Sequence, residues 1–232
     1  MKTKSQIRLL SLFLVAILLL FNYSCNPNDP NNLTSSGTVK DIDGNVYHTV
    51  KIGKQVWMVE NLKTTKYNDG TSIPCFTVNT AWKNLLTPAF CWYNNDAATY
   101  KNKYGALYNW YAVNTAKLAP TGWHIPTDAE WTTLTTYLGG ESIAGGKLKE
   151  VGAVNWISIN TGSTSETGFS ALPGGCRASN GTFNAFGDLG FWWSVTDYPS
   201  GAWIRSMGYT NIDVHRGDGY KTNGYSVRCL KD

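Results

Sequence analysis

Thr121-Gly-Trp-His-Ile-Pro-Thr-Asp-Ala-Glu-Trp-Thr-Thr-Leu-Thr-Thr-Tyr-Leu138 is the stretch whose reading decides the fold. Thr127 followed three residues later by Glu130 is a capping box, in which the hydroxyl takes the third helical N–H and the carboxylate returns to the cap's own N–H. Pro126 sets the entry. Trp131, Leu134 and Leu138 recur at helical spacing with Tyr137 beside them, and Gly139-Gly140 supplies the left-handed exit that side chains with a Cβ resist. The pattern predicts a helix over 128–138 with one buried face.

Upstream, Gly105–Asn114 places Leu107, Trp110, Tyr111 and Asn114 at i, i+3, i+4 and i+7, which predicts a second short helix. Residues 61–104 are rich in Asn, Thr, Asp and Tyr with little periodicity and read as a long irregular connection carrying Cys75 and Cys91. Before it, Gly37–Lys40, Val46–Ile52 and Gln55–Glu60 read as extended, with Asp43-Gly44-Asn45 and Gly53-Lys54 as hairpin turns, so the domain opens on a β-meander. Asp41-Ile-Asp-Gly-Asn45 is such a turn and not a calcium loop. Its glycine comes two positions early for an EF-hand, and Ile52 stands where a bidentate glutamate belongs.

Beyond Gly140 the chain breaks into short apolar bursts among glycines: Lys147–Val151, Trp156–Ile159, Phe169–Leu172, Gly190–Val195, Trp203–Met207 and Tyr225–Leu230. All are strand-length. Phe191-Trp-Trp-Ser-Val195, bounded by Gly190 and Asp197, reads as a buried central strand. Two helices within a mostly antiparallel set of short strands make an α+β domain. Ten tryptophans, thirteen tyrosines and 23 glycines fit many short elements and tight turns, unlike a long helical bundle.

Lys2, Lys4 and Arg8 precede an apolar run from Leu9 to Phe21, too short to cross roughly 30 Å of hydrocarbon and suited to a signal peptide over 1–24. Ser24-Cys25 followed by a polar tail resembles a bacterial lipoprotein signal, with Cys25 as the lipid attachment site; Asn22 makes the lipobox loose, and plain secretion is the alternative. Residues 25–36 read as a disordered tether and 37–232 as one domain. The expected location is the cell envelope, lipid-anchored at the outer membrane. The three leader cations account for all but one of the formal +4 charge and the remaining Lys and Arg are scattered along the chain, so nucleic acid is not an expected partner.

Gly122-Trp-His-Ile-Pro-Thr-Asp-Ala-Glu-Trp131, Gly168-Phe-Ser-Ala-Leu-Pro-Gly-Gly175, Trp192-Trp-Ser194 and Gly224-Tyr-Ser-Val-Arg-Cys229 occur in an order and spacing that resemble the Fibrobacter succinogenes major paralogous domain, over about 38–231. More distantly, the chain is similar to the formylglycine-generating-enzyme and C-type-lectin-like fold group. That resemblance implies a C-type-lectin-like α+β fold with paired termini and long irregular loops. The enzymes of that group use a carboxy-terminal cysteine pair that Cys176 and Cys229 do not match, so their reaction does not carry over. Family members often have a cysteine before Pro-Thr-Gly-Trp-His as the natural partner of the last-strand cysteine. Ala119 stands there in this chain.

Four cysteines besides Cys25 allow three pairings in an oxidising compartment, and Cys75–Cys91 with Cys176–Cys229 is the expected one. His48, His124 and His215 lack close second ligands, so neither a metal nor a cofactor is expected; His124 reads as hydrogen-bonded to a backbone carbonyl. No Gly-x-Ser-x-Gly elbow occurs around Ser170, and the lectin calcium motifs are missing. What remains is a non-catalytic surface module binding an extracellular glycan or protein through loops between about 176 and 222. Arg177, Asp188 and His215 are the expected polar contacts and Tyr209 the stacking platform. A diverged enzyme on that face, or a structural envelope protein without ligand, is the alternative.

Overall fold

The computed structural model describes residues 35–232. The apolar leader, Cys25 and most of the tether lie outside the described residues. β1 (Ser35–Lys40), β2 (Val46–Ile52) and β3 (Gln55–Met58) form the expected meander. The Asp41 carboxylate closes its first turn by accepting from the Asn45 N–H at 2.9 Å and the Tyr47 hydroxyl at 2.6 Å.

The segment 61–104 is more ordered than its composition suggests. It holds α1 (Asn79–Lys83), β4 (Phe90–Cys91), a 3₁₀ turn over Tyr93–Asn95 and α2 (Ala97–Tyr104). The Asp96 carboxylate caps α2 by accepting from the Thr99 N–H at 3.1 Å. Over 105–114 the expected helix is split. β5 (Leu107–Tyr108) pairs with β4, and Asn109 then caps the single turn of α3 (Trp110–Val113).

β6 (Trp123–His124) leads into α4 (Asp128–Tyr137), where the capping box is complete. The Thr127 hydroxyl accepts from the Glu130 N–H at 3.2 Å, and a Glu130 oxygen accepts from the Thr127 N–H at 2.8 Å. Trp131, Leu134 and Leu138 are buried, with the Trp131 ring 4.8 Å from Trp57 and 6.0 Å from Phe169.

α5 (Glu141–Leu148) is the element that the sequence hides, because Gly145-Gly146 in its middle argue against a helix. Packing explains them. A Cβ on Gly145 would lie 2.1 Å from the Asp213 carbonyl oxygen, and one on Gly146 would lie 2.6 Å from that of Gly162. The bursts at 156–159 and 169–172 are turns and irregular chain, tied in by one bridge from Ala171 to Lys149.

β7 (Gly174–Arg177), β8 (Phe183–Phe186), β9 (Leu189–Tyr198), β10 (Gly201–Gly208) and β11 (His215–Gly219) follow, and β12 (Leu230–Lys231) comes last. One five-stranded sheet runs β1-β2-β3-β12-β6 and a second runs β11-β10-β9-β7-β8. All pairings are antiparallel except β7 with β9. The domain is α+β with mostly antiparallel sheets, and among the described residues it has five α-helices where the sequence pattern shows two.

β9 is the central strand, as its aromatic run suggests. Trp192 points into the cluster with Trp57, Trp131 and Phe169, and Trp193 into the opposite one with Tyr47, Tyr108 and Trp110. A third cluster gathers Trp82, Cys91, Tyr93 and Leu107 under the 76–95 loop.

The expected disulfides are absent: Cys75, Cys91, Cys176 and Cys229 are all free thiols. Cys75 is exposed while Cys91 is buried in the third cluster, and Cys176 lies on β7 while Cys229 adjoins β12 in the other sheet.

Arg177, Lys149 and Arg228 are buried, and backbone carbonyls are their chief partners. Lys149 Nζ donates to the carbonyls of Thr161, Gly208 and Asn211 at 3.0, 2.9 and 2.7 Å. Burial pushes its ammonium down to about 8.

Trp131→Ala should cost about 3–5 kcal/mol by opening a cavity and Thr127→Ala about 1 kcal/mol by removing a cap. Denaturant unfolding that gives equal small losses would mean α4 is not packed as described. Lys149→Met should cost on the order of 2 kcal/mol, because the carbonyls of Thr161, Gly208 and Asn211 lose their common donor and that of Gly208 is buried; a neutral substitution would refute the role assigned to the ammonium.

Candidate functional site

Tight turns decide where the molecule opens. β9 and β10 are joined by Pro199-Ser200, a two-residue connection that brings Tyr198 opposite Gly201. β11 runs back alongside β10, with Gly219 opposite Ala202, and ends at this same tip. A Cβ on Gly201 would lie 2.1 Å from the Gly219 carbonyl oxygen, so only glycine lets the two backbones approach this closely. The chain then passes Tyr220-Lys221-Thr222 and meets α3, where the Trp110 N–H donates to the Lys221 carbonyl at 2.9 Å.

The space between is an open cleft of about 300 Å³, lined by Tyr111, Pro199, Ser200, Gly201, Tyr220, Lys221 and Thr222. Tyr220 is 65% exposed and Tyr111 half-buried. Lys221 Nζ lies 2.6 Å from Asp197 Oδ1 and 4.5 Å from the Trp110 ring centroid. That ammonium holds the Asp197 carboxyl below the usual carboxylate range. The Ser200 hydroxyl donates to Asp218 Oδ2 at 3.2 Å.

Beside the cleft, Arg216 stacks 3.6 Å from the Trp203 ring centroid and grips Asp128 in a bidentate pair, with Nη2 2.7 Å from Oδ2 and Nε 3.0 Å from Oδ1. Buried Arg205 holds the same carboxylate at 2.8 Å. Asp128 thereby anchors α4 to β10 and β11.

A smaller cavity of about 220 Å³ lies under β6, lined by Val113, Leu118, Ala119, Trp123, Ile125 and Val195, with His124 and Thr127 at its polar side. His124 is not bonded to a backbone carbonyl as expected. It sits between two carboxylates, with Nδ1 2.7 Å from Asp232 Oδ1 and Nε2 2.9 Å from Glu130 Oε1. Partial burial opposes its charge, but the hydrogen bonds to Asp232 and Glu130 outweigh that and hold the imidazolium above its ordinary range.

The expected contact residues do not converge. Arg177 is wholly buried; it donates to the carbonyls of Gly181, Phe76 and Thr77 and to Asn79 Oδ1, and its guanidinium lies 4.4 Å from the Trp82 ring centroid. It pins the 76–79 loop and offers nothing to a ligand. Asp188 and Tyr209 are neighbours through a 3.2 Å backbone hydrogen bond, and half-buried Tyr209 packs against the second core cluster. They flank the start of β9, roughly 30 Å along the strand from the cleft. His215 is exposed on β11 opposite Ser206. The cleft residues that sequence reasoning passed over, Tyr111, Tyr220 and Lys221, carry a weak signal: Asp218-Gly-Tyr-Lys221 ends a strand beside the Pro199-Ser200-Gly201 turn.

None of the four described thiols is activated. Burial pushes the Cys91 thiol up to about 12 and Cys176 to about 11, and raises Cys75 and Cys229 as well, the opposite of an activated thiolate. Among the described residues no three His, Cys, Asp or Glu side chains cluster as a metal site would need. Nor is any described helix long and apolar enough to cross a membrane.

The Fibrobacter succinogenes major domain model matches residues 50–231, which takes in the capped helix, the whole of the second sheet and the cleft, but not β1 or most of β2. The chain belongs to this family. No curated protein and no solved structure matches it.

The His124 clasp gives a pH dependence. A folded-state value raised above the unfolded one of about 6.5 contributes stability that is complete below about 6.5 and is lost as pH rises through the folded value. As pH rises above about 6.5 the melting temperature should therefore fall by more in the native chain than in His124→Gln. Equal pH slopes in the two would show that the clasp contributes nothing.

Proposed function

We propose that this family member is a non-catalytic binding module of the cell envelope, and that it holds an extracellular polymer, foremost a glycan, in the cleft between Tyr111 and Tyr220. The observation that carries this is the composition of the cleft: tyrosine rings beside hydroxyl and carboxylate groups, with its ammonium already paired. An aromatic ring offers an apolar face to the C–H face of a sugar, and the polar groups fix orientation. At about 300 Å³ the cleft stands at the lower end of the range for ligand pockets, enough for one or two sugar units of a longer chain. The apolar cavity under His124 is smaller and offers a sugar few polar partners.

The reading of the fold as C-type-lectin-like belongs to the same proposal. It rests on the sequence resemblance together with the α+β architecture and the antiparallel pairing of β12 between β3 and β6. The envelope location rests on the basic and apolar leader, Ser24-Cys25 and the polar tether, with Cys25 carrying the lipid.

Calorimetry on ligands selected from an array of glycans and cell-wall fragments tests the binding site. Tyr220→Ala should weaken binding about tenfold or more without lowering the melting temperature, whereas Asp188→Ala, at the far end of β9, should leave it unchanged; a chelator should have no effect. Fragments released from the bound polymer would make the protein an enzyme instead.

A further inference from the structure

The charges around the cleft narrow the ligand class, an inference that rests on the binding reading above. We infer that the cleft takes an uncharged polysaccharide, whose hydroxyl groups donate to Asp218 while sugar faces lie against Tyr220 and Tyr111, and that acidic polymers are turned away.

Lys221 lines the cleft, and two carboxylates stand beside its lining: Asp197 paired with Lys221 and Asp218 accepting from Ser200. Lys221 Nζ is 2.6 Å from Asp197 Oδ1 and 4.5 Å from the Trp110 ring centroid, so it already faces a carboxylate and a ring. The next cation along, Arg216, lies two residues before Asp218 on β11 and is committed to Asp128 through two hydrogen bonds and to the Trp203 ring. An incoming anion therefore finds no free cation here. What it finds is Asp218, exposed, with Oδ2 accepting from Ser200 and Oδ1 without a hydrogen-bond partner among the described residues.

A free carboxylate oxygen is an acceptor awaiting a donor. Sugar hydroxyls supply donors without bringing charge, and hydrogen bonds to an ionised acceptor are roughly twice as strong as neutral ones. A polymer of uronic acids would instead set its carboxylates against Asp218 and Asp197, a like-charge juxtaposition that opposes association. A polycation would gain only one exposed, screened ion pair, which contributes little.

The test is calorimetry on the full chain with a neutral glucan, a galactomannan and a xylan, set against polygalacturonate and polylysine at one ionic strength. At least one neutral glycan should bind and polygalacturonate should not. Asp218→Asn should weaken the neutral ligand about tenfold, the loss of one charge-assisted hydrogen bond. The double variant D197N/D218N frees Lys221 and should gain measurable binding to polygalacturonate. Both side chains are exposed, so the melting temperature should stay at the native value. Tighter binding of polygalacturonate or polylysine than of any neutral glycan, still abolished by Tyr220→Ala, would overturn this inference and leave the binding reading standing. Unchanged affinity in Asp218→Asn would overturn it too. Failure of every polymer to bind would overturn both.

Discussion

The guanidinium of Arg228 holds the two sheets and the irregular loop between them in one arrangement. It is completely buried, its Nε donates to Asn61 Oδ1 at 3.0 Å, Nη2 donates to the Ser170 carbonyl at 3.1 Å, and Nη1 donates to that of Phe169. Asn61 Oδ1 also accepts from Trp192 Nε1 on β9, while its amide donates to the Tyr104 carbonyl and to Ser226 Oγ. One arginine and one asparagine thus connect the chain before β12, the exit of β3, the central strand, the end of α2 and the 169–170 loop. Burial lowers the guanidinium to about 9; the Glu60 charge opposes that shift, and carbonyl dipoles and the Phe169 ring also face the buried cation, while no carboxylate among the described residues is hydrogen-bonded to it.

Lys149 and Arg177 repeat the device. A domain with so much non-repetitive backbone has many carbonyls that no ladder satisfies, and each must find a donor or water. Lysine and arginine bring several donors on one flexible stem and so reach carbonyls from separate loops at once. Lys149 gathers three carbonyls over 161–211, and Arg177 gathers those of Phe76, Thr77 and Gly181. These ties fix the loops without a disulfide. The four cysteines of the described domain are free thiols.

That arrangement sets what can be read from the sequence. The opening meander, the capping box at Thr127 and the central strand at Phe191–Val195 were legible because each depends on local chemistry: turn residues, a paired cap and an aromatic run. α5 was not, because its glycines answer to Asp213 and Gly162, which are distant in the chain. Arg177 was misread for the same reason. In a loop rich in Gly, Ser and Asn an arginine looks like a surface contact, and only the tertiary approach of the 76–79 segment and Trp82 turns it inward. The cleft was partly legible, since most of its lining falls between 176 and 222, but Tyr111 enters from α3 and no periodicity links it to Tyr220.

Rigidity of this kind bears on binding. A loop that must order when a ligand arrives charges its entropy against affinity, about 0.5–1.5 kcal/mol for each rotamer-rich side chain immobilised. Lys221 is already held between Asp197 and Trp110, and the hairpin tip is pressed against β11 where Gly201 meets Gly219. Behind the tip, Asp128 joins Arg205 of β10 and Arg216 of β11 to the first turn of α4, and Asp128 stays ionised because hydrogen bonds from the two arginines outweigh its partial burial. Tyr220 is largely exposed and stands at the open side of this cleft floor. On the proposed reading, such a floor would present fixed acceptors to a ligand, so little ordering entropy would be lost on binding.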